Sequence, residues 1–281
     1  MDDNALAPVI AVMLILAIGV TVFAVYTSTY LPSLKQQDEV DHLQQVESGF
    51  LKFSSDIDNA IAAGKNGINV PDQPVEYSET IPLGGGDIIV NSMKSGGIVR
   101  IQNNESPFLN ITITYDNYSH TYETDLVNYS YIPNGNFWID QGYLWEAGNV
   151  TVTQLKGQRS AQITENDKFP GSLIQYYPKD DGIHINFVNF SIEKSSGSIS
   201  GNGNAILKLK STVKNLTPSN NNITTIILSA PESHIINGLL TNITINNDTP
   251  TLNSIPNGLN ISYSTPHHLI INEIEMQLKV Q

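Results

Sequence analysis

Few residues in this 281-residue chain have the types and spacing that chemistry needs. Asp180, Asp181 and His184 stand close together, and two acids with an imidazole are a metal-type donor set. Asp180-Asp181-Gly182 is also turn chemistry leading into a strand, and the turn is the simpler reading. His267 and His268 follow Pro266, but neighbours on a strand point to opposite faces and do not easily grip one ion. Glu273 and Glu275 share a strand face and read as a wet edge. Gly84-Gly85-Gly86 lacks the strand and helix of a phosphate loop and reads as a turn. No nucleophile elbow, zinc-protease helix, P-loop or EF-hand loop is present. The sequence thus assigns no catalytic residue, no cofactor and no metal ligand. A Ser-His-Asp arrangement assembled in space is left open.

Two further groups bear on recognition. Phe137, Trp138, Tyr143 and Trp145 fall on a predicted hairpin, as a carbohydrate platform or as cross-strand core packing; packing is the preferred reading. Asn-x-Ser/Thr sequons occur at Asn104, Asn110, Asn117, Asn128, Asn149, Asn189, Asn222, Asn242 and Asn260. Asn215 and Asn247 also head sequons, each with a proline just past the sequon, which sets them behind the others. Part of this number follows from a composition rich in Asn, Ser and Thr, residues that also populate turns. The surplus points to an extracytoplasmic surface that can carry glycans. A net charge of −13 leaves no basic stripe for nucleic acid and suits a solvated exterior. Cysteine is absent, so no disulfide staples the fold.

These groups must be held by two kinds of element. From Asn4 to Leu34 there is no charge, and Ala7–Tyr26 is almost wholly apolar. Twenty helical residues cover roughly 30 Å, about the thickness of a bilayer core. A cleaved secretory signal would have a basic start and a shorter apolar run, and a buried core helix would carry a polar face. A permanent single span, with membrane lipid as partner, fits best. Basic residues do not orient it, since only Lys35 lies nearby; the sequons place the rest of the chain outside the cell. Pro32 predicts a kink or short break, with Ser33 as a cap for the restarted helix. Val40, Leu43, Val46, Phe50, Phe53, Ile57 and Ile61 then recur at steps of three and four, one apolar stripe on a polar helix. Gly64 is expected to end it in the left-handed conformation. Phe50–Ile61 is expected to pack on the chain's own domain, and Val40–Val46 against neighbouring copies.

After Asn66 short alternating runs are separated by Gly, Pro, Asn and Asp. Predicted strands are Val75–Ile81, Asp87–Asn91, Gly97–Gln102, Leu109–Tyr115, Thr121–Leu126, Asn136–Asp140, Val150–Gln154, Ser172–Tyr177, Ile183–Ile192, Ala205–Val213, Thr224–Leu228, Asn242–Asn246 and Leu269–Val280. The fold class is α+β: a long N-terminal hydrophobic then amphipathic helix, followed by a mostly antiparallel, β-sandwich-like domain. The units are 1–34 (apolar helix), 35–64 (amphipathic stalk) and 65–281 (β domain). A divide near 195–203 or a long hairpin loop would explain the Ser/Gly-rich stretch there.

The opening Asp3-Asn-Ala-Leu-Ala-Pro-Val-Ile-Ala-Val-Met-Leu-Ile-Leu-Ala resembles the N-terminal helix of archaeal type IV pilin-like proteins. With Tyr30-Leu-Pro, the acidic amphipathic helix and the β-rich remainder, it is similar to a group of methanogen type. No Lys or Arg precedes the apolar run and no acid lies within it, unlike many members of the wider family. The resemblance implies a membrane-anchored structural or adhesive subunit of cell-surface filaments, without enzymatic activity. Its partners would be further copies in a helical homo-oligomer, or other pilin-like subunits. Ala11, Ala17, Gly19 and Ala24 are the small residues that would let helices approach. The alternative is an envelope-anchored extracellular domain that binds carbohydrate or senses, and does not polymerise.

Overall fold

The structure is a computed structural model that describes residues 6–67, 73–85, 95–104, 107–115, 118–136, 138–154, 159–166, 168–179, 182–194, 197–219, 222–230 and 250–281. Asn117, Asn242, Asn247, Phe137, Gly86, Asp180, Asp181 and the predicted strands at 87–91 and 242–246 lie outside the described residues.

Helix α1 (Leu6–Val25) passes through a π turn (Tyr26–Tyr30) into α2 (Leu31–Lys65) without leaving helical geometry. The Leu31 N–H bonds the Tyr26 carbonyl, five residues back. The break expected at Pro32 takes this form. Pro32 sits in the first turn of α2, and the wider turn before it relieves the clash that its ring makes one turn back. Ser33 does not cap; its hydroxyl donates to the Tyr30 carbonyl at 2.8 Å.

The helix also ends later than the sequence suggests. Gly67, at φ +66, takes the left-handed position, and its N–H bonds the Gly64 carbonyl. Gly64 is instead a buried contact inside α2.

The β domain consists of β1 (Val75–Pro82), β2 (Gly96–Asn103), β3 (Leu109–Tyr115), β4 (Ser119–Thr124), β5 (Val127–Asn134), β6 (Gln141–Glu146), β7 (Asn149–Gln154), β8 (Arg159–Gln162), a short helix α3 (Phe169–Ser172), β9 (Ile174–Lys179), β10 (Gly182–Ile192), β11 (Ser198–Gly201), β12 (Asn204–Asn215), β13 (Asn222–Ser229), β14 (Thr251–Ile255) and β15 (Gly258–Val280). One sheet runs β1-β12-β15-β13-β3-β4, with β10 and β14 also on β15 and β9 on β10; the other runs β11-β2-β5-β6-β7-β8. Pairings are antiparallel except β10 with β15. The fold is α+β with a mostly antiparallel β domain. The described residues of the predicted strand Asn136–Asp140 (136 and 138–140) are not strand; they lie between β5 and β6.

Two cores share the long strands. In the first, α2 contributes Leu43, Val46, Phe50, Phe53, Ile57 and Ile61, packed with both sheets. The second collects residues of β3, β9, β13 and the nearer halves of β10 and β15. Val188 and Phe190 of β10 face the first core, while Ile183, Ile185 and Phe187 face the second. This is strand alternation used on both faces. The cores therefore do not divide the chain near 195–203: β11 joins β2 there, and β12 follows at once into the other sheet.

A polar contact pins the parallel pair. Asn186 and Asn272 are opposite in register; Asn272 Nδ2 donates to Asn186 Oδ1 at 2.9 Å, and Asn186 Nδ2 donates to Gln175 Oε1 and to the Lys65 carbonyl at the end of α2. A one-residue slip would separate these amides and turn every apolar side chain to the wrong face.

Candidate functional site

The feature that stands apart from the folded domain is α1. Its apolar side chains are exposed on every side, from 51% at Ile10 to 70% at Ile15. Among the described residues one helix is long and apolar enough to cross a membrane, and its most apolar window buries nothing against the rest of the chain. Hydroxyls near its end bond back to the helix: Thr21 Oγ1 to the Ala17 carbonyl at 2.8 Å and Thr27 Oγ1 to the Phe23 carbonyl at 3.0 Å. Such bonding satisfies a hydroxyl where water is scarce. Tyr26 and Tyr30, with ring centroids 5.4 Å apart, close the apolar stretch, the place where amphipathic rings sit at a membrane–water boundary.

The small residues do not form one stripe. Ala17 and Ala24, seven apart, fall within about 20° of each other around the helix, while Ala11 and Gly19 lie on its other side. All four are exposed, and a β-carbon on Gly19 would meet nothing within 4 Å.

By contrast, the apolar face of α2 from Leu43 to Ile61 is buried in the fold. Leu43 and Val46 are buried by the chain's own sheets, so most of the Val40–Val46 stretch does not face neighbouring copies; Val40 itself is half-buried. Aromatic residues of β5 and β6 grip the helix. The Tyr129 hydroxyl donates to the Phe50 carbonyl at 3.2 Å, the Tyr143 hydroxyl to the Leu43 carbonyl at 3.1 Å, and Trp145 Nε1 to Ser54 Oγ at 3.0 Å. Tyr129 opposes Trp145 and Tyr131 opposes Tyr143 in register. At the entry to the domain Glu39 accepts the backbone N–H groups of Trp138 and Ile139 at 3.1 and 3.2 Å. His42 Nε2 lies 2.9 Å from the Tyr131 hydroxyl. Burial lowers the His42 pKa, and the neighbouring Glu39 carboxylate opposes that shift. Gly85 lets the β1–β2 connection approach, since a β-carbon there would lie 3.0 Å from His42 Cβ.

The aromatic group is thus split. Tyr143 and Trp145 are core, and Trp138 is 44% exposed. The residues with chemical potential are separate and engaged. His184 is buried and stacks on Tyr177 at 5.0 Å. His267 packs edge-on against Tyr263. Glu273 accepts from Asn189 Nδ2 at 2.7 Å, and Glu275 pairs with Lys214 at 2.9 Å, so these carboxylates are partnered rather than a bare wet edge. No group of three or more His, Asp or Glu able to hold a metal occurs among the described residues. A shallow groove of about 350 Å³ between α2, β1 and the start of β12 is lined by Lys52, Glu79, Thr80 and Asn204 among others, with no histidine.

Comparison of the chain with protein-family models, curated proteins and solved structures finds no match.

Proposed function

We propose that this chain is a membrane-anchored, pilin-like structural or adhesive subunit of archaeal cell-surface filaments, assembled through its N-terminal helix. The observation that carries the reading is the contrast between the two halves of the rod. The apolar stripe of α2 is consumed inside its own domain, whereas α1 is apolar and exposed all round. Such a helix needs lipid or other helices around it. In a bilayer it is a single span with the β domain outside the cell. In a filament core it exchanges lipid for neighbouring helices, an association governed by close packing. Ala11, Ala17, Gly19 and Ala24 offer close approach on two sides, which suits a helix surrounded by copies better than a simple dimer. No enzymatic step and no cofactor belongs to this reading.

A second reading is favoured by one observation, the exposed Trp138. An envelope-anchored domain that binds carbohydrate and stays monomeric would use it as a stacking surface.

The decisive experiment fractionates native cells into sheared filaments and membranes, and measures intact mass and N-terminal peptides in each. Protein in the filament fraction, lost on Ala11→Arg or Gly19→Arg, is the expected result. Protein confined to membranes in both variant and parent, with ligand binding abolished by Trp138→Ala, would replace the filament reading with the second.

A further inference from the structure

We infer that N-linked glycans sit on Asn215 and Asn222, at the two ends of the β12–β13 connection, and not on the other sequons that lie wholly within the described residues. The inference rests on the extracytoplasmic placement in the reading above, and it reverses the order that the sequence suggests for Asn215.

Seven sequons have all three residues described: Asn110, Asn128, Asn149, Asn189, Asn215, Asn222 and Asn260. Only Asn215 and Asn222 are exposed; the other five are half-buried. Asn189 is committed at both ends of its amide, with Oδ1 accepting the Asp125 N–H at 3.0 Å and Nδ2 donating to Glu273 at 2.7 Å. Asn149 Oδ1 accepts the Asn166 N–H at 2.6 Å. Asn260 lies on β15 between β13 and β14, and its Oδ1 accepts the hydroxyl of Ser262, the third residue of its own sequon. Asn110 lies between β13 and β4 with Oδ1 sealed from solvent. Asn128 lies between β2 and β6.

Asn215 is arranged differently. Its Oδ1 accepts the Thr217 N–H at 2.9 Å, an Asx turn inside the sequon. The bond engages the oxygen, and not Nδ2, of an exposed residue. The Thr217 hydroxyl accepts the Ile271 N–H at 3.0 Å and keeps its own proton to donate. Asn222 opens β13, opposite His268.

The two sites share one end of the molecule. Asn215 pairs with Asn272, whose amide reaches through Asn186 to the Lys65 carbonyl, at the far end of α2 from α1. His268 lies beyond Asn272 along β15, roughly 13 Å farther out at the rise of a strand. Glycans there are remote from the apolar helix.

The transfer itself needs a lipid-phosphate-linked oligosaccharide as donor. Nδ2 bonds the sugar C1, the C1–O bond to phosphate breaks, the lipid phosphate leaves with the electron pair, and one Nδ2 proton passes to the transferase. Transfer to the folded chain reaches the two exposed asparagines, and a glycan on Asn189 or Asn149 would remove contacts of the fold.

Glycopeptide fragmentation of the native protein, from filaments and from membranes, tests this. Glycan on both Asn215 and Asn222, with the other five asparagines unmodified, is expected. Asn215→Gln and Asn222→Gln should each remove one glycan's mass from a chain that keeps its thermal transition. Absence of glycan from either site, or glycan on any of the five, overturns the inference. A glycosylated chain confined to membranes would support these sites while removing the filament reading; an unmodified chain in filaments would do the reverse.

Discussion

Gly64 of α2 and Ile274 of β15 approach so closely that a β-carbon at residue 64 would lie 2.9 Å from both Cδ1 and Cγ2 of Ile274. The helix is seated against the sheet at a point where nothing larger than glycine fits. Gly64→Ala should destabilise the domain by about 1–3 kcal/mol through overpacking. Urea unfolding of the full chain in detergent micelles measures it. An unchanged midpoint would mean that Ile274 moves aside freely. Gly67→Ala should cost about 1–2 kcal/mol for a different reason, its left-handed backbone.

Ser54 tests the grip of the β domain on α2. Its hydroxyl is the acceptor for the buried Trp145 indole N–H. Ser54→Ala leaves that donor unsatisfied and should cost about 1–3 kcal/mol. In the Trp145→Phe background the same change should cost much less, because no donor remains to orphan. A double-mutant cycle with additive effects would rule out the bond as a source of stability.

Stability should depend on pH at both ends of the range. Burial lowers Lys65 from 10.5 to about 8. Between those values the unfolded chain holds the proton that the folded chain has lost, so stability rises as pH climbs from about 8 toward 10.5. Lys65→Met should flatten that rise. Buried Tyr129 titrates well above its ordinary 10.0, and this works the other way above pH 10. On the acid side, His42 is held below 6.5 chiefly by burial, so stability falls as pH drops below 6.5. His42→Gln should remove that part of the decline. Denaturant midpoints across pH for parent and variants check each sign.

A chain beginning at Leu31 should fold without α1. None of the core residues belongs to α1, so the truncated protein should keep the parent's unfolding midpoint and become monomeric without detergent. Circular dichroism and light scattering would show this, and aggregation or loss of sheet signal would contradict it.

The sequence made the rod legible because its two periodicities are unambiguous. An unbroken apolar run and then a stripe at steps of three and four leave little choice. Leu109–Tyr115 was readable for the same reason, since its alternation is strict. Val127–Asn134 and Gln141–Glu146 were not, because Asn128, Pro133, Asn134 and Gly142 are turn residues scattered through true strands. Their burial comes from tyrosines and a tryptophan that meet only across the sheet. The pairing of Val46 and Leu43 with the domain was equally hidden, as a stripe does not name its partner. Asn215 shows the converse: Pro218 set its sequon aside, while the Asx turn and the exposure that present it exist only in the folded chain.

The placement of β15 also governs when the domain can come into being. β15 is the strand that β10, β12, β13 and β14 all pair with, and Gln281 exchanges backbone bonds with Ile206. Until that segment emerges, α2 has half a sheet to lie on, and the earlier strands wait with open edges. Contacts of such sequence separation form slowly. The sheet is therefore completed only once Gly258–Val280 has been made, long after the apolar helix α1.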